Sequence, residues 1–172
     1  MIIEQTIEET CLNPKYIKYL CNSDKRLAEI ITLVGSYSIK KKYDSFQALI
    51  EAIIYQQPNG NAASAICKRF YADYGNLTPT PLMKDTEIIS KLTMVKGIGR
   101  WTAEMFLIFY LGREDVLPVT DLGLRNAMKR TYLLEKLPIP MEMVRIAAPW
   151  RPYRSVATWY LWKSLSNFDA IG

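Results

Sequence analysis

The run Val95-Lys96-Gly97-Ile98-Gly99-Arg100 constrains the fold of this chain more than any other stretch. Inside a helix, each of its two glycines would cost about 1 kcal/mol relative to alanine. Yet the apolar residues on both sides keep helical spacing: Ile88, Ile89 and Leu92 before the glycines, and Trp101, Met105, Phe106 and Phe109 after them. The pattern predicts a helix from Asp85, a glycine turn over Lys96–Gly99 and a second helix from Arg100 to about Leu111, with Gly112 as its stop. The hairpin therefore occupies 85–111.

Most of the remaining chain repeats this period. Tyr16, Tyr19 and Leu20 form one apolar face, Leu27, Ile30, Ile31 and Val34 a second, and Phe46, Leu49, Ile50 and Ile53 a third. Asn22-Ser23-Asp24 reads as a helix cap and Gly35-Ser36-Tyr37-Ser38 as a breaker. Asn59 can cap a helix through Ala62, Ala63, Ile66 and Phe70 that ends near Gly75, after which Thr78-Pro79-Thr80-Pro81 breaks the chain. Beyond the hairpin come a loop, a helix opening near Asp121, a proline-rich link at Pro138 and Pro140, a short helix over Glu142–Ala147 and a last helix over Tyr153–Leu165. No stretch alternates convincingly as a strand and no internal repeat is present, so the fold is expected to be all-α. With 172 residues, 49% of them hydrophobic, the chain suffices for one filled domain or two small lobes.

Composition then narrows the chemistry. Lys and Arg number 22 against 17 Asp and Glu, a net charge of +5 that suits an anionic partner without specifying one. The three cysteines, Cys11, Cys21 and Cys67, lie far apart and there is no histidine, which excludes a zinc site and a four-cysteine iron–sulfur cluster. Acid or base chemistry must then come from a carboxylate, Lys, Tyr or Cys. The N-terminus has no basic segment followed by a long apolar run, and no stretch reaches eighteen uninterrupted apolar residues. The expected location is the cytoplasm of a prokaryote or a nucleus, with no membrane partner.

At the start of the second hairpin helix, backbone N–H groups lack partners and carry the positive end of the helix dipole, so they suit a phosphate oxygen. Ile98 would anchor the turn in the core, while Lys96 and Arg100 add flanking charge. A plain turn between two helices would look the same at this level.

A longer stretch carries more information. Leu92-Thr-Met-Val-Lys-Gly-Ile-Gly-Arg-Trp-Thr-Ala-Glu-Met-Phe-Leu-Ile-Phe-Tyr-Leu111 resembles the helix-hairpin-helix of the alkylpurine branch of the helix-hairpin-helix DNA glycosylase superfamily, the branch of 3-methyladenine DNA glycosylase II. The resemblance continues through Asp115-Val-Leu-Pro-Val-Thr-Asp-Leu-Gly-Leu-Arg125, similar to the Gly/Pro-then-Asp loop of that superfamily, and resumes in Trp150-Arg-Pro-Tyr-Arg-Ser-Val-Ala-Thr-Trp-Tyr-Leu-Trp162, similar to its last helix. Upstream, Phe46-Gln-Ala-Leu-Ile-Glu-Ala-Ile-Ile-Tyr-Gln-Gln57 is similar to the helix that ends in a Gln-Gln pair. These four blocks, in the family's order, cover about a third of the chain.

The resemblance implies a compact, two-lobed helical glycosylase fold in a single domain over 1–172, with a catalytic loop at 112–125 and a C-terminal helix that returns to the N-terminal lobe. It implies that Asp121 is the catalytic carboxylate, a role suited to cleavage of an N-glycosidic bond, in which positive charge builds on the sugar. Helix capping would also explain an aspartate there. In the bifunctional relatives a lysine stands where this chain has Trp101, which implies base removal without strand cleavage through a Schiff base. Trp101, Met105 and Trp162 match base-pocket positions, where flat electron-rich rings suit an electron-poor alkylated purine, though helical core spacing would account for them as well. Lys96, Gly97, Ile98, Gly99, Arg100 and Thr102 match the DNA-binding hairpin, and Gln57, with Gln56 beside it, the wedge that fills the gap left by the flipped base. The main-chain carbonyls of Thr93, Val95 and Ile98 match a site for Na⁺ or K⁺. The resemblance requires no other cofactor. It implies a monomer acting on double-stranded DNA with a damaged base, 3-methyladenine or 7-methylguanine.

Two departures bear on this expectation. After Gln57 the chain has Pro58-Asn59-Gly60-Asn61 where the family has an apolar residue, Ser, a small residue and Lys. From Pro81-Leu82-Met83-Lys84 it passes directly to Asp85, where relatives insert about two more helices, so the lobe is expected to be shortened. A helix-hairpin-helix module that binds damaged or bent DNA without chemistry is the alternative that this shortening favours. A glycosylase for oxidised or deaminated bases is a third.

Overall fold

The computed structural model describes residues 10–11, 14–36, 38–39, 64–66, 68–69, 72 and 83–168. In chain order its elements are β1 (Thr10–Cys11), α1 (Pro14–Ser23), α2 (Lys25–Val34), β2 (Ser38–Ile39), α3 (Asp85–Thr93), α4 (Arg100–Phe109), α5 (Leu122–Tyr132), α6 (Pro140–Ile146), a 3-10 turn at Ala148–Trp150, and α7 (Arg154–Phe168). Residues 64–66, 68–69 and 72 are also helical. The fold is all-α, with one addition: β1 and β2 pair antiparallel, Thr10 opposite Ile39 and Cys11 opposite Ser38. Two residues are too few to show an alternating pattern, so the sequence carries no sign of this ladder.

The chain forms two compact units, one made of residues 1–40 and 113–172, the other of the contiguous stretch 41–112. In the first unit the face predicted on α2 is buried, whereas on α1 Leu20 is buried and Tyr19, placed on the same predicted face, is 41% exposed. Leu27, Ile30 and Ile31 are buried on α2, and Leu124, Ala127 and Met128 on α5. Both helices pack on α7. That helix is buried continuously from Ser155 to Leu161, as a helix enclosed by others must be, and so has no solvent stripe over that run. Asp24 caps α2 by accepting the Leu27 N–H at 3.0 Å. Gly35 closes it, its N–H donating to the Ile31 carbonyl at 3.0 Å.

In the second unit α3 and α4 pack together. Ile88 and Leu92 from α3, Val95 and Ile98 from the turn, and an unbroken run from Ala103 to Ile108 on α4 are buried. Phe106 and Tyr110, one helical turn apart, stack with ring centroids 5.1 Å apart.

Candidate active site

The hairpin turn begins where α3 runs out of partners. The Val95 N–H donates to the Leu92 carbonyl at 3.2 Å and the Ile98 N–H to the Val95 carbonyl at 2.9 Å, which reverses the chain. Gly97 lies at φ 106°, a conformation that L side chains rarely adopt, and a Cβ there would meet Ile66 Cγ1 at 2.6 Å and Cδ1 at 2.7 Å. Ile98 is buried and anchors the turn. Gly99 is the N-cap of α4 at φ −88° and ψ 170° and offers no side chain to cover the first turn of that helix. Lys96, Gly97, Gly99 and Arg100 are exposed there and Thr102 is partly buried. A bare helix N-terminus flanked by two cations can receive a phosphate oxygen. Arg100 also serves its own helix: its Nε donates to Glu104 Oε1 at 2.8 Å, joining an arginine 61% exposed to a carboxylate only 2% exposed.

Asp121 is the N-cap of α5. Its Oδ1 accepts the Leu124 N–H at 2.5 Å and the indole N–H of Trp162, from α7, at 2.8 Å. The loop leading to it is tied down at several points. Arg154 Nε donates to Asp115 Oδ1 at 2.5 Å, and its Nη2 donates to Asp115 Oδ2 at 3.1 Å and to the Asp115 carbonyl at 2.8 Å. The Ser155 hydroxyl donates to the Arg113 carbonyl at 2.6 Å and accepts the Val116 N–H at 2.9 Å. Val116, Leu117 and Pro118 are buried, and the Asp121 N–H donates to the Pro118 carbonyl at 3.0 Å. The carboxylate is thereby carried on a fixed strap.

The remaining candidates divide. Trp101 and Trp162 are partly buried, whereas Met105 is 4% exposed and lies in the buried run of α4, the core position that its spacing equally allowed. Gln56 and Gln57 fall outside the described residues. Thr93 ends α3, and Val95 and Ile98 form the turn. Among the described residues no cluster of acidic, cysteine or histidine side chains could hold a metal ion. Sequence reasoning missed Gly123. A Cβ on it would stand 3.2 Å from Asp121 Oδ1 and 3.5 Å from Trp162 Cδ1. A glycine at the second position of a helix, where alanine is the better helix former, was the available signal.

No protein-family model matches the chain. Among curated proteins it is 31% identical to DNA-3-methyladenine glycosylase 1 of Schizosaccharomyces pombe, over 88% of this chain and 87% of that protein. That alignment runs over 199 positions, so this chain has gaps where the relative has residues, as a shortened chain should. Among solved structures, the S. pombe 3-methyladenine DNA glycosylase in complex with abasic DNA superposes with a TM-score of 0.67 at 30% identity, covering 87% of this chain and 95% of the other. A DNA-3-methyladenine glycosidase from Bacillus halodurans superposes with a TM-score of 0.70 at 28% identity, covering 95% of this chain and 94% of the other.

Proposed function

Since this chain belongs to the alkylpurine branch of the helix-hairpin-helix DNA glycosylase superfamily, we propose that it excises alkylated purines, 3-methyladenine and 7-methylguanine, from duplex DNA by hydrolysing the N-glycosidic bond in base excision repair. The hairpin holds the backbone of the damaged strand through the uncapped start of α4, with Lys96 and Arg100 adding charge. The damaged base leaves the stack and carries the bonding electrons of C1′–N away, a departure eased by the positive charge that alkylation places on the ring. Cation character then grows on the sugar. Asp121 stabilises it or directs a water to C1′; the water's oxygen becomes the C1′ hydroxyl of an abasic site and its second proton passes to the carboxylate or to solvent.

The observation that carries this reading is the setting of Asp121. It caps α5 and also accepts a side-chain N–H from another helix, so its carboxylate is held in one orientation. Preorganised charge of this kind stabilises a developing cation without rearranging at the moment of reaction. Trp101 stands where bifunctional relatives have the Schiff-base lysine, so we take the enzyme to stop at the abasic site. Stacking of the extruded base falls to Trp101. The carbonyls of Thr93, Val95 and Ile98 are hard oxygen donors of the sort that an alkali cation takes, and Na⁺ or K⁺ bound there would extend the positive field toward a phosphate. No catalytic metal is required, and one copy of the chain suffices for one lesion.

The test is base release from duplex DNA carrying 3-methyladenine or 7-methylguanine, with native protein and Asp121→Asn. Native protein is expected to free the base and leave an intact strand with an abasic site. The substitution is expected to lower release by about 10²-fold or more while DNA affinity is retained. Binding without release from either lesion would instead identify a damage-recognising module, the reading that the shortened chain favours.

A further inference from the structure

We infer that Trp162 is a positioning residue that orients the Asp121 carboxylate, rather than a surface on which the extruded base stacks, and that Gly123 provides the clearance for their contact. The inference rests on the reading of Asp121 as the reacting carboxylate and adds how that carboxylate is set.

Three observations carry it. The first is the bond itself: an indole has one donor and no acceptor, and that donor is committed to Asp121 Oδ1 at 2.8 Å. The cap bond from Leu124 reaches the same oxygen from α5, the helix that Asp121 opens. One donor alone leaves a carboxylate free to turn about the bond, whereas two donors from two helices set its plane.

The second is the glycine. Gly123 has no positive φ to justify it, and it occupies helix α5, where alanine would be preferred. What a methyl group would meet there is the contact itself: Asp121 Oδ1 at 3.2 Å, Trp162 Cδ1 at 3.5 Å and Trp162 Nε1 at 3.6 Å. The first distance is tight enough that the carboxylate would have to give way. The third is the platform. Trp162 stands eight residues beyond Arg154 on α7, so two turns of one buried helix hold both Asp115, early in the loop, and Asp121 at its end.

The experiment measures single-turnover release of 7-methylguanine and, separately, affinity for duplex DNA containing a tetrahydrofuran abasic analogue. It uses native protein, Trp162→Phe, Gly123→Ala and Asp121→Asn, each checked for folding by circular dichroism and thermal melting. Trp162→Phe keeps a flat apolar ring and removes only the N–H. A positioning role predicts that release slows about 10- to 100-fold while affinity stays within about twofold. Gly123→Ala is expected to slow release as well, with its melting temperature equal to or above the native value. If Trp162→Phe releases the base at the native rate, or loses affinity in proportion to rate, the indole is a stacking surface and the inference fails. Native rates in Gly123→Ala would also overturn it. Asp121→Asn separates the two levels: inactivity there combined with native rates in Trp162→Phe rejects the positioning role alone, whereas full activity in Asp121→Asn rejects both.

Discussion

Gly97 and Gly99 stand one residue apart and do different work. At Gly97 the backbone conformation and the side chain of Ile66 both exclude a Cβ. Gly97→Ala should therefore destabilise the fold by about 1–3 kcal/mol, visible as a lower denaturation midpoint without DNA. Gly99 has an ordinary backbone, and a Cβ placed on it would meet nothing within 4 Å. Gly99→Ala should cost at most about 1 kcal/mol, since alanine is a poorer N-cap than glycine. On the proposal that the start of α4 receives a phosphate, its effect should appear in affinity for all duplexes, lesion or not. Titration of undamaged duplex by anisotropy, beside a melt of each variant, distinguishes the two. In the sequence the glycines are equivalent, because spacing reports that a turn exists and not which φ each residue adopts. Trp162 and Met105 pose the same difficulty. Both sit at helical spacing, but where an indole N–H points and how deeply a thioether is buried depend on tertiary neighbours.

The strap from Arg113 to Asp121 is governed by the start of α7. Ion pairs on this protein differ in strength by exposure. Lys91 and Glu87 are 41% and 50% exposed, a pairing of small consequence, whereas Arg154 and Asp115 are 13% and 29% exposed and meet through two guanidinium nitrogens. Asp115→Asn should cost about 1–3 kcal/mol of stability. It should also slow base release by loosening the strap, with DNA affinity little changed; a rate equal to native in the folded variant would detach the strap from Asp121. Element boundaries are legible in the sequence wherever a cap marks them. Asp24, Gly35 and Asp121 all stand where capping chemistry places them. The character of α7 is less so, since a helix buried from Ser155 to Leu161 lacks the one-sided pattern that periodicity detects.

Across the whole molecule, the first unit is assembled from two distant stretches of chain, and Asp24 is a principal link between them. Its Oδ2 accepts the Tyr132 hydroxyl at 2.6 Å and the Trp150 indole N–H at 3.0 Å, while Oδ1 caps α2. Burial works against the charge, yet the Trp150, Tyr132 and backbone donors outweigh it and hold the Asp24 carboxyl below its ordinary value of 3.8. A carboxyl depressed on folding contributes stability that is fully present above the unfolded value and lost as pH falls through the folded one. The melting temperature should therefore fall as the pH is taken down below about 4. Asp24→Asn should lower stability at neutral pH by about 1–2 kcal/mol and flatten that acid limb; an unchanged limb would place the sensitivity elsewhere. None of this is legible in the sequence, because residues 108 and 126 positions apart leave no periodic trace. The same discontinuity bears on synthesis at the ribosome. The stretch 41–112 is contiguous and precedes α7, whereas Trp162 emerges after every other described element has begun. A nascent chain can thus possess its glycine turn before the Trp162 donor to Asp121 exists, so the order of synthesis separates the proposed DNA contact from the proposed setting of the carboxylate.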